Sequence, residues 1–184
     1  MEQLNPKSRS DAYGSRINRD HSPILIHLVP WGTILLGCLL PFLPIISAIP
    51  LVPPLGLLFL LGWRLVRPGL LPVWAGFPIG LFDDLFSGQP FGSGILLFSL
   101  IMLGIEFFDT RFPWRSFWQD WMAAALAIIA YLVGAALFSG ADIGLIALAS
   151  IGPQALLSIL AFPVIARIIG GLDRLRLLRV RVLG

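Results

Sequence analysis

The chain has 184 residues, of which 57% are hydrophobic and only 12% are charged, with a formal net charge of +3. An average soluble domain has about 25% charged residues, so this composition excludes a soluble globular domain. It also excludes disorder and a collagen-like fibre, and the single Cys38 excludes a disulfide scaffold. A polytopic membrane protein remains.

Polar residues are concentrated at the two ends of the chain. We predict a polar N-terminal tail at 1–22, a transmembrane domain at 23–172 and a basic C-terminal tail at 173–184. At about 20 residues for each spanning helix, plus short turns, the middle segment holds about six helices. The predicted fold class is therefore an all-α bundle of about six transmembrane helices.

The predicted spans are 24–43, 51–63, 69–86, 93–108, 121–138 and 143–169. Pro68 is expected in the first turn of the third span, where proline is tolerated. The segment 87–92 is rich in turn formers and predicts the connection to the fourth span. Pro153 and Pro163 should kink the sixth span unless neighbouring groups satisfy the carbonyls that these prolines free.

All 13 Lys and Arg residues fall on one side of a six-span arrangement. They lie in the tails and near the loops after spans two and four, and Arg64 and Arg67 are expected to end the second span. The loops on the other side have no cation and have Asp83, Asp84 and Asp142 near them. Because positively charged loops stay in the cytoplasm, both termini are predicted to be cytoplasmic.

Two acids at the outer end of span three are the first candidates for catalysis. Asp83 and Asp84 begin a sequence like the DDxxD motif of metal–diphosphate enzymes, but Ser87 stands where the third acid is needed. The chain has no second acidic cluster, and His21 and His27 have no third metal ligand nearby. We therefore predict no catalytic residue, no metal site and no cofactor.

The alternative for these acids is a structural role. One carboxylate would accept backbone N–H groups of the glycine-rich turn or cap the fourth span. Contact with a partner protein is a further possibility. The two side chains should point about 100° apart around the helix, so they need different surroundings.

Glu106 lies inside the cytoplasmic end of span four. It can pair with Arg64, Arg67 or Arg115 across that face of the bundle, or extend its carboxylate to the interface, which we favour.

Gly76 and Gly80 form a GxxxG pair in span three. Such a pair allows another helix to approach closely, either a partner's helix or one of the same bundle.

Residues 56–92 carry a resemblance to a known family. The segment resembles the MreD family, the rod shape-determining membrane proteins of bacteria. The shared pattern is an apolar helix with a glycine, then an Asp-Leu-x-Ser-Gly turn, then a glycine that opens the next helix. The matching residues are Gly80, Asp84, Leu85, Ser87, Gly88 and Gly92. Asp83 is not part of the pattern, so Asp84 is the acid expected to accept the backbone donors.

The resemblance implies a non-enzymatic scaffold of the elongasome in the bacterial inner membrane, required for rod shape and lateral peptidoglycan synthesis. It implies an MreC-like single-span protein, an MreB-like actin homologue, RodA and the elongation transpeptidase as partners, together with membrane lipids and without nucleic acid. The residues expected to bind a partner or to form the structural motif are Gly76, Gly80, Asp83, Asp84, Ser87, Gly88 and Gly92.

The family is also similar in fold to the substrate-binding S components of energy-coupling-factor transporters. The alternative function is therefore a membrane subunit that binds a vitamin. Such a subunit needs polar groups that converge on a pocket open to the outside, and the outer half of this chain offers few of them.

The charge distribution generates a topology prediction. Reporter fusions at Gly88 and Gly140 should report the periplasm. Fusions at Arg67, Phe112 and Gly184 should report the cytoplasm, because the predicted cation-bearing loops and tails lie on that side of the membrane. A periplasmic signal at Gly184 would contradict an even number of spans.

Overall fold

The computed structural model describes residues 19–21, 23–40, 52–112, 116–140, 145–176 and 179–181. These residues form the helices α1 (Pro23–Leu39), α2 (Leu55–Val66), α3 (Gly76–Phe86), α4 (Ser93–Arg111), α5 (Phe117–Phe138) and α6 (Leu145–Arg176). A single 3₁₀ turn, Val73–Ala75, precedes α3. The predicted all-helical membrane bundle is confirmed, with one helix for each predicted span.

Three of the described helices are long and apolar enough to cross a membrane: Ser93–Arg111, Phe117–Phe138 and Ile151–Arg176. The apolar helices Leu25–Leu39 and Leu55–Val66 are shorter. The hydrophobic core lies between the helices, and its largest fully buried side chains are Trp63, Phe98 and Phe162.

Two short strands join the ends of the described chain. Strand β1 (Arg19–His21) pairs antiparallel with β2 (Arg179–Arg181), and Asp20 lies opposite Val180. This pair is not predicted from the sequence, because three-residue strands are too short to show an alternating pattern. The pairing brings the segment before α1 next to the segment after α6.

The start of the third helix differs from the prediction. Pro68 does not open a helix, because the chain turns at 67–72 and Gly69 there has a φ of +83°. The extended Pro72 (ψ 153°) leads into the 3₁₀ turn instead. Helix α2 continues through Arg64 to Val66, so the expectation that Arg64 ends it is wrong, whereas Arg67 is its C-cap, as expected.

Helix α6 runs through both of its prolines. Pro163 has no N–H, so the carbonyl of Ile159 one turn earlier loses its helical partner. The indole Nε1 of Trp121, on α5, donates a hydrogen bond to that carbonyl at 3.0 Å. A neighbouring helix thus satisfies the freed carbonyl, which is the condition under which a proline is tolerated in a spanning helix.

Helices α3 and α4 pack at very short distance through the GxxxG pair. A Cβ on Gly76 would lie 2.8 Å from the carbonyl oxygen of Phe98, and one on Gly80 would lie 2.5 Å from that of Gly94. Real side chains do not approach backbone so closely, so only glycine fits. The pair therefore packs within the same bundle, and the expectation that it offers a surface to a partner is not met.

This packing makes Gly80→Ala a test of the helix pair. We expect it to destabilise the folded protein by about 1–3 kcal/mol, because α4 backbone must move to admit the methyl group. The measurement is thermal unfolding of the purified protein in detergent. Gly104→Ala on α4 is the matched control, since a Cβ there meets nothing within 4 Å. Equal unfolding temperatures for the two variants would contradict the close packing.

Candidate functional site

The carboxylate of Asp84, near the end of α3, caps the start of α4. Its Oδ2 accepts the backbone N–H of Gly92 at 2.9 Å and that of Ile95 at 3.2 Å. Its Oδ1 accepts the backbone N–H of Gly94 at 2.7 Å. These hydrogen bonds agree with the expectation that one acid of the pair accepts the donors of the turn and of the fourth helix.

Helix α4 needs this carboxylate because it has no cap of its own. Its N-cap residue is Gly92, which has a φ of +98° and no side chain to bond the first helical N–H groups. Asp84 supplies the acceptor from the preceding helix, and its negative charge also complements the positive end of the helix dipole.

The glycines around the cap allow the carboxylate to approach. A Cβ on Gly94 would lie 2.7 Å from Oδ1 of Asp84, so any larger residue would displace the acid. Gly94 is not among the residues singled out from the sequence. Gly94 follows Ser93 at the start of the fourth span, but nothing in the local composition distinguishes it from the other glycines of the chain.

Asp83 lies in different surroundings from its neighbour. The hydroxyl of Tyr131 on α5 donates a hydrogen bond to its Oδ2 at 3.3 Å, and the thiol of Cys38 on α1 lies against the same carboxyl group. The Tyr131 ring also packs edge-on against Phe98, with 5.6 Å between ring centroids. Asp83 thus connects α1, α3 and α5, and the two acids point to different helices as expected.

The two side chains next to Asp83 are not predicted from the sequence. Tyr131 was detectable in principle, as a polar ring in an otherwise apolar helix. Cys38 gave no signal, because a cysteine in a spanning helix is ordinarily a small apolar residue.

The other predicted residues of the motif form the turn itself. Ser87 is the C-cap of α3, and its backbone N–H bonds the carbonyl of Asp83 at 2.8 Å. Gly88 follows in the left-handed conformation, with a φ of +68°. Both are exposed. Asp84, Gly92 and Gly94 are brought together, whereas Ser87 and Gly88 lie at the tip of the turn.

Ion pairs join three helices at the other end of the bundle, which we call the charged end (Arg64, Arg67, Glu106, Asp109, Asp173 and Arg176). The Arg64 side chain is only 3% exposed and pairs with Glu106 and, at 3.2 Å, with Asp109. Glu106 therefore pairs with an arginine, contrary to the favoured expectation, although 46% of its side chain stays exposed. Two acids from α4 neutralise the arginine, so it can lie buried within α2.

Asp173 forms the second half of the charged end. It accepts a hydrogen bond from Nε of Arg67 at 2.8 Å and forms an ion pair with Arg176 at 3.0 Å. These contacts lie beyond the predicted boundary of the transmembrane domain at 172, and α6 continues to Arg176. Arg115, Asp142 and the side chain of His21 lie outside the described residues, as do residues 41–51, which include three prolines.

The capping geometry makes a prediction for three variants. Asp84→Ala leaves three backbone N–H groups without an acceptor, and each one costs about 1–3 kcal/mol when buried. We expect a large loss of folded protein for Asp84→Ala. The loss should be intermediate for Asp84→Asn, which keeps one acceptor oxygen, and mild for Asp83→Ala. The measurement is membrane abundance by blotting, together with thermal unfolding. Wild-type behaviour of all three variants would remove the capping role.

The sequence also matches the model of a known family. The model of the family described as "rod shape-determining protein MreD" matches residues 22–173. Neither a curated protein nor a solved structure matches the chain, so the likeness to transporter S components stays a prediction. The matched range holds all six helices up to the Asp173 ion pairs, and the predicted resemblance is confirmed: the chain belongs to the MreD family of rod shape-determining proteins.

Proposed function

We propose that this protein is a non-enzymatic scaffold of the elongasome, which acts with an MreC-like single-span protein and an MreB-like actin homologue to maintain rod shape. The observation that carries the proposal is the family match over residues 22–173. RodA and the elongation transpeptidase are the further partners that we propose, in the bacterial inner membrane.

The use of the buried polar groups supports a scaffold. Asp84 accepts backbone donors at the start of α4 with both carboxylate oxygens, and Oδ2 of Asp83 accepts a hydrogen bond from Tyr131. A reacting or ligand-binding carboxylate needs a free side facing its substrate. The alternative, a vitamin-binding transporter subunit, needs such groups to converge on an open pocket, and these two converge on helices instead.

The pairing of the chain ends supports the proposed orientation. β1 and β2 form hydrogen bonds with each other, and the charged end brings the last turns of α2, α4 and α6 together. The termini and the arginine-bearing loops would then share one face of the membrane. By the rule that positive loops stay inside, we propose that this face is cytoplasmic.

We propose the opposite end of the bundle as the surface for the MreC-like partner. The tip of the α3–α4 turn exposes Leu85 and Phe91, whose exposed fractions are 63% and 71%. Gly88, which has no side chain, exposes its backbone between these two residues. The Asp84 cap holds this tip rigid, so a partner that docks there does not have to order it, which lowers the entropic cost of binding.

The scaffold proposal is tested by depletion in the source bacterium. Loss of the protein should turn rods into swelling spheres, and wild-type protein should restore rods and co-purify an MreC-like protein from solubilised membranes. Phe91→Ser should weaken this co-purification, because it removes an exposed aromatic group from the proposed contact. Vitamin uptake should stay normal.

The matched control is Phe107→Ser. Phe107 is 75% exposed, comparable to Phe91, but lies near the charged end of α4. Equal loss of the partner in both variants would contradict a contact at the turn. Normal cell shape after depletion, with growth rescued by one added vitamin, would contradict the scaffold and favour the transporter subunit.

A further inference from the structure

Helix α6 is longer than a membrane requires. Its 32 residues correspond to about 48 Å at 1.5 Å per residue. The hydrocarbon core of a bilayer is about 30 Å thick, and the headgroup layer on each side adds roughly 5–8 Å. Helix α6 is therefore about 18 Å longer than the hydrocarbon core, so at least one of its ends reaches the lipid headgroups. Asp173 agrees with this level, because it pairs with Arg67 just after the end of α2.

Two arginines lie on one face of the last third of α6. Arg167 and Arg174 are seven residues apart, which is about 10 Å and nearly two full turns, so they lie one above the other. Both are exposed. Within the described ranges neither has an acid partner, whereas Arg176 on the opposite face is bound by Asp173. Among the described residues, these two positive charges therefore have no acidic counterion.

Two glycines lie between these arginines on the same face. A Cβ added at Gly170 or at Gly171 would meet nothing within 4 Å. Their lack of side chains is therefore not required by packing, unlike that of Gly80. The result is a strip of bare helix backbone bounded above and below by a guanidinium group, and the exposed Ile168 borders it.

We propose that Arg167, Gly170, Gly171 and Arg174, here called the arginine strip, bind the headgroup of an anionic phospholipid. A guanidinium donates paired hydrogen bonds to a phosphate, and unpaired guanidinium groups at headgroup depth favour an anionic lipid over a zwitterionic one. The glycines allow the phosphate and glycerol to lie against the helix. This site is independent of the proposed contact at the α3–α4 turn.

The test is lipid titration of the full-length purified protein, measured by native mass spectrometry. Wild-type protein should retain phosphatidylglycerol in preference to phosphatidylcholine. Arg167→Gln and Arg174→Gln should each lower phosphatidylglycerol affinity about fivefold, which corresponds to about 1 kcal/mol for each cation near an anionic headgroup. Gly171→Leu keeps both charges but fills the strip, and should lower affinity to a similar extent.

Arg111→Gln is the matched control, because Arg111 is an exposed arginine at the end of α4 without neighbouring glycines. It should leave affinity within twofold of wild type. Unfolding temperatures of all variants should match the wild type, since the changed side chains are exposed. Equal retention of the two lipids, an equal loss in Arg111→Gln, or an unchanged affinity in Gly171→Leu would each overturn the site.

Discussion

The bundle depends on a carboxylate of one helix that caps the next. The first N–H groups of a helix have no partner within the helix, and a bilayer offers no water to bond them. Helix α4 begins at a glycine that cannot cap it, so Asp84 does so from α3. This contact requires the two helices to approach closely, which Gly80 and Gly94 permit.

The charged end obeys the same physical rule with different chemistry. A buried charge is costly unless a partner neutralises it, so the almost fully buried Arg64 brings two acids of α4 to α2. Asp173 ties α6 to the loop after α2 in the same way. Backbone hydrogen bonds to a carboxylate fasten one end of the bundle and ion pairs fasten the other. The faces that remain open can then serve as rigid docking surfaces.

The family assignment suggests how the two exposed surfaces of the bundle are used. The tip of the α3–α4 turn and the arginine strip lie at opposite ends of the bundle and differ in chemistry. Apolar side chains at the turn suit a protein contact, and unpaired guanidinium groups suit a lipid phosphate. Two independent surfaces of this kind would suit the scaffold that we propose, because a scaffold must hold a partner and keep its own position in the bilayer.

The sequence by itself determined the class of protein and the six helices that the structure describes, because hydrophobic run length depends only on local composition. The side of the membrane on which the cations lie stays a prediction from charge placement. It also identified Asp84 through the family motif. Only the tertiary structure decided what each buried polar group contacts. Three outcomes depend on which helix lies opposite. These are whether Gly80 packs against a partner or within the bundle, whether Arg64 ends a helix or lies inside one, and whether Trp121 satisfies the carbonyl freed by Pro163. That neighbour is set by packing between segments distant in the chain, which no local pattern records.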